Sequence, residues 1–387
     1  MREAARLQAA IEIVDAVLRS VAEGGAAADV LVQRYFATRR YAGARDRAAV
    51  RDLVFAAIRH SAEPPPTGRA ALIGLAEAAR PELLPLFDGS PHAPAPVAAD
   101  EPRAAAGLVP AWLEPAFVAR FGPGGQAEAA ALVGRAPLDL RVNRLKTDDI
   151  AAVAAALPGA APIPGLAFGL RLAQPVVLER HPLWQEGLVE VQDAASQHCV
   201  AFAGPRPGDL VVDLCAGGGG KTLALAAEMA GRGTIIAADI DRRRLAALGP
   251  RLARAGAAGM IDTRLLDPMR EEDSLADLAG RADLVLVDAP CSGTGTWRRS
   301  PDLRWRLAPK RLRHHVAVQE RLLALGVRLV RPGGTLVYSV CSVLPCEGRE
   351  QALRAEARHG LPPADMLELS PAADGCDGFF VARWRIA

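Results

Sequence analysis

The alternation of short apolar runs with helical segments in the second half of the chain constrains its fold most. LVVDLCAG (210–217) is an apolar run that ends in glycines, and KTLALAAEMA (221–230) after it has helical spacing. Further strand-like runs follow at GTIIAADID (233–241), ADLVLVDAP (282–290) and GTLVYSVCS (334–342), with helical segments between them. This pattern predicts an α/β fold with a mainly parallel, doubly wound sheet. Such sheets bind ligands at the carboxyl ends of their strands.

The first half of the chain is organised differently. Apolar residues recur at helical spacing as far as about residue 90, which predicts an all-helical domain over 1–90. Residues 91–104 are rich in proline and alanine, as is typical of a linker. The strand-like LDLRVNRLK (138–146) predicts a small mixed α/β subdomain over 105–200, which leaves 201–387 for the larger α/β domain.

Composition excludes several classes of protein. The 387 residues carry a net charge of only +2, and the N-terminus alternates charged and apolar residues, unlike a signal peptide. No apolar run reaches the ~18 residues that a membrane-spanning helix requires. We therefore expect a cytoplasmic protein without a membrane partner. The six cysteines form no CxxC or Cys/His cluster, so their spacing disfavours a metal site. A disulfide framework is not expected in a large chain that we expect to be cytoplasmic.

Basic residues are distributed unevenly. Arginines crowd the segment 34–59, which fits either solvated helix faces or a footprint for nucleic-acid phosphates. Lysine is rare, with only Lys146, Lys221 and Lys310 in the chain. Each lysine is therefore a candidate for a role that arginine cannot fill.

The segment DLCAGGGGKT (213–222) lies where the first strand of the larger domain turns into a helix, and three ligands are compatible with such a loop. A triphosphate-binding loop would need glycine where Cys215 stands. The dinucleotide fingerprint GxGxxG is not met, because Thr222 takes its last position. The third ligand is S-adenosylmethionine, whose glycine loop is looser and makes no phosphate contacts.

Carboxylates at the next two strand ends help to choose the ligand. Asp239 stands twenty residues after the loop, where an acidic side chain accepts hydrogen bonds from ribose hydroxyls. Asp267 ends the following strand, where an adenine amino group could lie. The alternative for Asp267 is a helix cap, since Pro268 follows it. The spacing favours a ligand that contains adenosine with a free ribose.

Two cysteines follow two neighbouring strands. Asp288 and Cys291 lie at the end of one strand, and Cys341 lies at the end of the next. Lone cysteines are usually buried small apolar residues, but two at adjacent strand ends beside a cofactor loop suit covalent catalysis. Methylation of cytosine at carbon 5 needs a thiolate added to carbon 6, an acid near the ring nitrogen and a group for elimination. The spacing does not rank the two cysteines.

These motifs occur together in an order found in one known family. DLCAGGGGKT, AADID, VDAPCSGTG with RRSPDLRW, and LVYSVCSVLPCEG resemble the RNA cytosine-5 methyltransferases of the Sun/NOP group, with the closest likeness to bacterial ribosomal RNA enzymes of RsmB type. The resemblance extends over about 138–387. The helical N-terminus resembles, more weakly, the NusB-like RNA-binding domain of RsmB-type members. The family loop usually has Ala-Pro where Gly217-Gly218 stand here, and threonine where Val340 stands.

The resemblance implies a Rossmann-like class I S-adenosylmethionine-dependent methyltransferase domain that acts on RNA, specifically small-subunit ribosomal RNA. We also expect the protein to be a monomer. It implies that Cys341 is the nucleophile and Cys291 assists product release, with Asp288 and Lys221 at the reacting base. The implied cofactor contacts are Cys215, Ala216, Gly217, Gly218, Gly219, Gly220, Lys221, Asp239, Asp267 and Asp288. The implied RNA contacts are Arg298, Arg299 and Arg304.

Two other functions stay open at this point. The first is a non-catalytic RNA-binding or ribosome-assembly factor that keeps the fold, for which the altered glycine loop is the support. The second is a DNA cytosine methyltransferase, in which the cysteine of the Pro-Cys motif, Cys291, would be the nucleophile instead of Cys341. A measurement of S-adenosylmethionine binding distinguishes the non-catalytic factor from an enzyme. Activity of the Cys291 and Cys341 variants distinguishes the DNA methyltransferase from the RNA methyltransferase.

Overall fold

The computed structural model describes residues 1–174 and 176–387. In chain order the helices are α1 (Glu3–Glu23), α2 (Ala28–Ala37), α3 (Ala44–His60), α4 (Gly68–Ala78), α5 (Glu114–Phe121), α6 (Gly125–Val133), α7 (Ile150–Ala155), α8 (Pro182–Gln185), α9 (Ala194–Ala203), α10 (Gly220–Glu228), α11 (Arg242–Ala255), α12 (Glu271–Ser274), α13 (Leu303–Arg306), α14 (Pro309–Leu329), α15 (Arg349–His359) and α16 (Pro371–Asp374). The strands are β1 (Leu138–Val142), β2 (Ala160–Pro162), β3 (Gly169–Leu172), β4 (Val189–Val191), β5 (Leu210–Leu214), β6 (Thr234–Asp239), β7 (Ile261–Leu265), β8 (Ala282–Asp288), β9 (Val330–Val340), β10 (Asp365–Leu369) and β11 (Phe379–Arg385).

The chain forms two compact units. The first unit contains Met1–Arg135 and Thr296–Pro309, and the second contains Ala136–Gly295 and Lys310–Ala387. In the part of the chain that the structure describes, no helix is long and apolar enough to cross a membrane.

The first unit is helical, and the predicted N-terminal helical region is present. Leu7, Ile11 and Val14 are buried on one face of α1, as their spacing predicts, and α3 and α4 pack against this helix. The segment 296–309 belongs to this unit although it lies far along the chain. Its Trp305 is buried in the helical core and donates from Nε1 to the carbonyl oxygen of Ser61 at 3.0 Å.

The second unit contains two sheets. The smaller one has the order β2-β3-β1-β4 with antiparallel pairing throughout. Strand β1 is shorter than the run 138–146 suggested and ends at Val142. The side chain of Asn143, which follows it, donates from Nδ2 to the carbonyl oxygens of Gly187 and Ala255, at 2.8 and 2.9 Å. The predicted mixed subdomain therefore contains a sheet, whereas residues 105–135 group with the helical unit.

The larger sheet has the order β10-β11-β9-β8-β5-β6-β7. The five strands from β9 to β7 are parallel, and β10 and β11 add an antiparallel edge. Successive residues of β8 alternate between two apolar cores, with Leu284 and Leu286 on one face and Val285 and Val287 on the other. Burial on both faces explains the continuous apolar runs in the sequence and confirms the predicted doubly wound sheet.

Candidate active site at the carboxyl edge of the parallel sheet

The loop between β5 and α10 forms a tight glycine turn. Three of its residues have positive φ, namely Cys215 at 71°, Gly217 at 56° and Gly219 at 80°. A Cβ atom on Gly219 would lie 2.0 Å from Leu248 Cδ1, and the positive φ would strain any other residue, so this position favours glycine. A Cβ atom on Gly220 would meet no atom within 4 Å, so the loop has open space on its other side. The backbone can therefore approach a ligand closely.

Asp239 at the end of β6 is attached to this loop. Its side chain is only 5% exposed, and Oδ2 accepts a hydrogen bond from the Gly217 amide at 2.8 Å. Oδ1 accepts from the Asp241 amide at 2.7 Å. Each carboxylate oxygen retains a second lone pair for a ligand hydroxyl. The loop and this carboxylate together fit an adenosine-containing ligand.

Two further carboxylates near this edge, Asp241 and the predicted cofactor contact Asp267, differ in their surroundings. The Asp241 side chain caps α11 by accepting from the Arg243 amide at 2.8 Å. Asp267 is exposed after β7, and the following helix α12 begins only at Glu271 with Arg270 as its N-cap. The alternative interpretation of Asp267 as a helix cap is therefore wrong. Its role as a cofactor contact stays a prediction.

The backbone carbonyl oxygens of the glycine loop are held by side chains that the sequence analysis did not identify. The Arg251 guanidinium donates to the Gly218 carbonyl oxygen and pairs with the Glu190 carboxylate at 2.9 Å. Gln192 Nε2 donates to the Gly220 carbonyl oxygen at 3.2 Å. These bonds restrain a run of four glycines that would otherwise be costly to order.

Lys221 and Asp288 form an ion pair across the strand ends. Lys221 Nζ lies 2.8 Å from Asp288 Oδ2, and the Ser339 hydroxyl donates to Oδ1 at 2.9 Å. Burial is the largest single effect and would lower the pKa of Lys221, but the attraction and hydrogen bond of Asp288 together with the contributions of Cys199 and Cys341 outweigh it, so the pKa is raised above its usual value. Lys221 thus places a positive charge among the strand ends, next to the position of Cys341.

The two cysteines meet directly. Cys291 Sγ and Cys341 Sγ are 3.4 Å apart, although 50 residues separate them in sequence. The hydrogen bond with Cys341, together with burial, raises the pKa of the Cys291 thiol well above its usual value. Cys291 therefore keeps its proton at neutral pH and can donate it toward Cys341. The structure thus brings together Lys221, Asp288, Cys291 and Cys341.

The other cysteines near the sheet are poor nucleophiles. Burial raises the pKa of Cys199 to about 12 and that of Cys215 well above its usual value. Burial also raises the pKa of Cys346 to about 11. A thiol with a raised pKa supplies little thiolate at neutral pH. The Cys215 side chain is therefore not reactive.

Asp213 lies under the glycine loop and is fully buried. Burial raises the pKa of its carboxyl group to about 7, against the opposing effect of a 2.6 Å hydrogen bond from the Thr222 hydroxyl. This bond joins the end of β5 to the first turn of α10, so Asp213 fixes the two ends of the glycine loop relative to each other.

The predicted RNA-binding arginines lie in the first unit. Arg304 is 1% exposed and donates to the carbonyl oxygens of Ile58 at 2.7 Å and Leu108 at 2.9 Å. Arg298 is 6% exposed. These two side chains have almost no surface to offer to RNA, so we withdraw both from the predicted set. Arg299 is partly exposed and stays a prediction.

The parallel sheet, the glycine loop and the carboxylate at the end of β6 define a Rossmann-like domain of the S-adenosylmethionine-dependent methyltransferase class. Residues 200–385 match the family model described as 16S rRNA methyltransferase RsmB/F. Residues 200–385 therefore form a methyltransferase domain of RsmB/F type.

Known relatives and solved structures agree with this assignment. "Ribosomal RNA small subunit methyltransferase B" of Pectobacterium carotovorum is 34% identical over 288 residues, which cover 71% of this chain and 66% of that protein. The protein of the same name from Salmonella arizonae is 35% identical over 64% of this chain and 59% of its own length. The chain therefore spans less than two thirds of the length of these relatives.

Two crystal structures show a similar fold. A methyltransferase homolog protein from Pyrococcus horikoshii is 25% identical, with a TM-score of 0.62 over 71% of this chain and 95% of that one. The crystal structure of PH0851 has a TM-score of 0.76 over 98% of each chain at 21% identity.

Proposed function

We propose that this protein transfers the methyl group of S-adenosylmethionine to carbon 5 of a cytosine in RNA, through a covalent adduct of Cys341 at carbon 6. The observation that carries the proposal is the 3.4 Å approach of the Cys291 and Cys341 sulfur atoms beside the Lys221–Asp288 ion pair. The relatives named as small-subunit ribosomal RNA methyltransferases support that RNA as the substrate.

The proposed chemistry assigns a step to Cys341, Lys221 and Cys291. The Cys341 thiolate adds to carbon 6, which gives carbon 5 the character of an enamine. The positive charge of Lys221 stabilises the negative charge that addition places on the ring. S-Adenosylmethionine supplies the methyl group as an electrophile. Loss of the carbon 5 proton to a base then re-forms the double bond and expels the Cys341 thiolate, which Cys291 assists by hydrogen bonding.

The proposed cofactor site uses the glycine loop and Asp239. Ribose hydroxyls would donate to the carboxylate, as the 20-residue spacing after the loop predicts. We expect Asp239→Asn to weaken S-adenosylmethionine binding roughly 10- to 100-fold, since a hydrogen bond to a charged group contributes about 1.5–3 kcal/mol. Isothermal calorimetry measures this. Asp262→Asn, at an exposed position on β7, is the matched control. Equal affinities for the two variants would contradict the assignment.

A basic surface at the start of α14 is a candidate contact for RNA. It consists of the exposed residues Lys310, Arg311, Arg313 and His314, none of which forms an ion pair with a described residue. Positive charges at a helix N-terminus oppose the helix dipole, so they do not stabilise the helix. Gln319 lies nine residues later, about 14 Å along the axis, and donates to the Pro290 carbonyl oxygen at 3.0 Å. The same helix thus carries the basic surface at its start and a contact with the Cys291 loop nine residues later.

Removal of this charge should weaken RNA binding. We expect a variant with alanine at Lys310, Arg311 and Arg313 to reduce the slope of log affinity against log salt by about 2, at about 0.7 per phosphate contact. Fluorescence anisotropy over a salt series with labelled RNA measures the slope. The control is Arg328→Ala at the other end of α14, where the arginine pairs with Glu272. An unchanged slope in the triple variant would remove this surface from the RNA site.

A further inference from the structure

Glu347 is a buried carboxylate that no step of the proposed chemistry uses. It lies in the loop between β9 and α15 and has no exposed surface. Oε1 accepts from the Ser292 amide at 2.8 Å and from Gln319 Nε2 at 3.1 Å. Oε2 accepts from the Ser342 hydroxyl at 2.6 Å and also from the Ser292 hydroxyl. One side chain thus receives four hydrogen bonds.

The donors belong to the two loops that carry the paired cysteines. Ser292 directly follows Cys291, and Ser342 directly follows Cys341. The two serine hydroxyls also lie 3.2 Å apart, so the network closes between the loops. The Glu347 carboxylate thus links the loop after β8 to the loop after β9, and it does so at the residues that directly follow the two cysteines.

Glu347 is itself held in place. The Tyr338 hydroxyl on β9 donates to the Glu347 carbonyl oxygen at 2.6 Å, and Tyr338 is fully buried. Gln319 connects the network to α14, since the same Nε2 also donates to the Pro290 carbonyl oxygen. A carboxylate fixed at both its backbone and its side chain can set the distance between two loops, and burial makes each of its hydrogen bonds strong.

From these contacts we propose that Glu347 is a positioning residue that fixes the separation of Cys291 and Cys341, so that the Cys291 thiol reaches the sulfur of Cys341 when the adduct must break. The proposal rests on the proposed function for its catalytic consequence. The geometric part concerns two sulfur atoms and can be measured without RNA. Misplacement of a reacting group by about 1 Å can cost on the order of 100-fold in rate.

Two substitutions separate positioning from simple support of the fold. In Glu347→Gln the remaining oxygen accepts from the Ser292 amide and Gln319, and the new amide donates to the two serine hydroxyls, which can accept as well as donate. Glu347→Gln should therefore retain the network. Glu347→Ala removes both acceptor oxygens and with them all four hydrogen bonds. Glu350→Ala, at an exposed position on α15, is the matched control.

The first measurement is the rate at which diamide oxidises Cys291 and Cys341 to a disulfide in the full chain without RNA, followed by peptide mass spectrometry. We expect Glu347→Ala to slow this reaction at least about tenfold, because disulfide formation demands a narrow sulfur geometry. Glu347→Gln and the control should stay within about threefold of the wild type. A wild-type rate in Glu347→Ala would overturn the proposal, whether or not the protein methylates cytosine.

The second measurement is the methylation rate at saturating RNA, together with cofactor affinity by calorimetry. Glu347→Ala should lose about 100-fold in kcat with unchanged affinity for S-adenosylmethionine, while Glu347→Gln recovers most of the kcat. If Glu347→Ala does not fold, Glu347→Asp takes its place, because the shorter side chain keeps the charge but cannot span both loops. Weaker cofactor binding and equal losses in the glutamine and alanine variants would indicate general support of the fold instead.

Discussion

Replacement of Cys341 by alanine is expected to reduce methyl transfer to RNA by more than about 1,000-fold. The enzyme would lose the covalent activation of carbon 5, and no neighbouring group can replace the nucleophile. Cys291 lies 3.4 Å away, and its hydrogen bond with Cys341 is lost in this variant, but burial still raises the pKa of its thiol and disfavours the thiolate that addition requires. The measurement is the initial rate of methyl incorporation at saturating RNA and cofactor.

Cys346→Ala is the matched control, since Cys346 lies five residues further along the chain. It should methylate within about threefold of the wild-type rate, because its thiol is not placed in the reaction. Cofactor affinity of Cys341→Ala should also be unchanged, which excludes a loss of fold. A fully active Cys341→Ala variant would mean that the nucleophile is a different group.

Replacement of Cys291 by alanine is expected to trap the enzyme on its RNA. Without the thiol that assists departure of Cys341, the covalent adduct should accumulate as a species that survives denaturing electrophoresis. We expect turnover to fall by about 100-fold or more while addition and methyl transfer still occur once, since a lost proton-transfer partner costs 10²–10⁴-fold. A gel-shift time course with end-labelled RNA measures the accumulation.

The double variant Cys291→Ala/Cys341→Ala is the control and should give no adduct. The reverse result would contradict the assignment of the two roles. If Cys341→Ala formed the stable adduct and Cys291→Ala did not, Cys291 would be the nucleophile, as in the alternative DNA cytosine methyltransferase.

The sequence predicted the parallel sheet and the strand-end groups well because their signals are local. In the turn from β5 into α10, Gly219 has a positive φ and lies close to Leu248. The run of glycines in the sequence indicates both features. Asp239 and the paired cysteines could be placed near one edge because parallel strands present their carboxyl ends together. The edge strand β10 was not predicted, since DMLEL (365–369) contains no β-branched or aromatic residue that would mark it as a strand.

The errors concern contacts between residues that are distant in sequence. Arg304 follows the Pro-Cys motif, and an arginine at that place was predicted to contact RNA. Its hydrogen-bond partners are instead the backbone carbonyl oxygens of Ile58 and Leu108. Nothing near residue 304 in the sequence indicates these acceptors. Similarly, the donors to Glu347 come from residues 292, 319 and 342, so no local pattern marks it as the link between two loops.

The central claim is methyl transfer from S-adenosylmethionine to carbon 5 of cytosine in RNA. The most direct test supplies the purified full chain with cofactor labelled in its methyl group and with unmodified small-subunit ribosomal RNA, then digests the RNA to nucleosides and separates them. We predict that the label appears in 5-methylcytidine and requires Cys341. Label in another nucleoside, or no label while RNA and cofactor both bind, would contradict the proposed function.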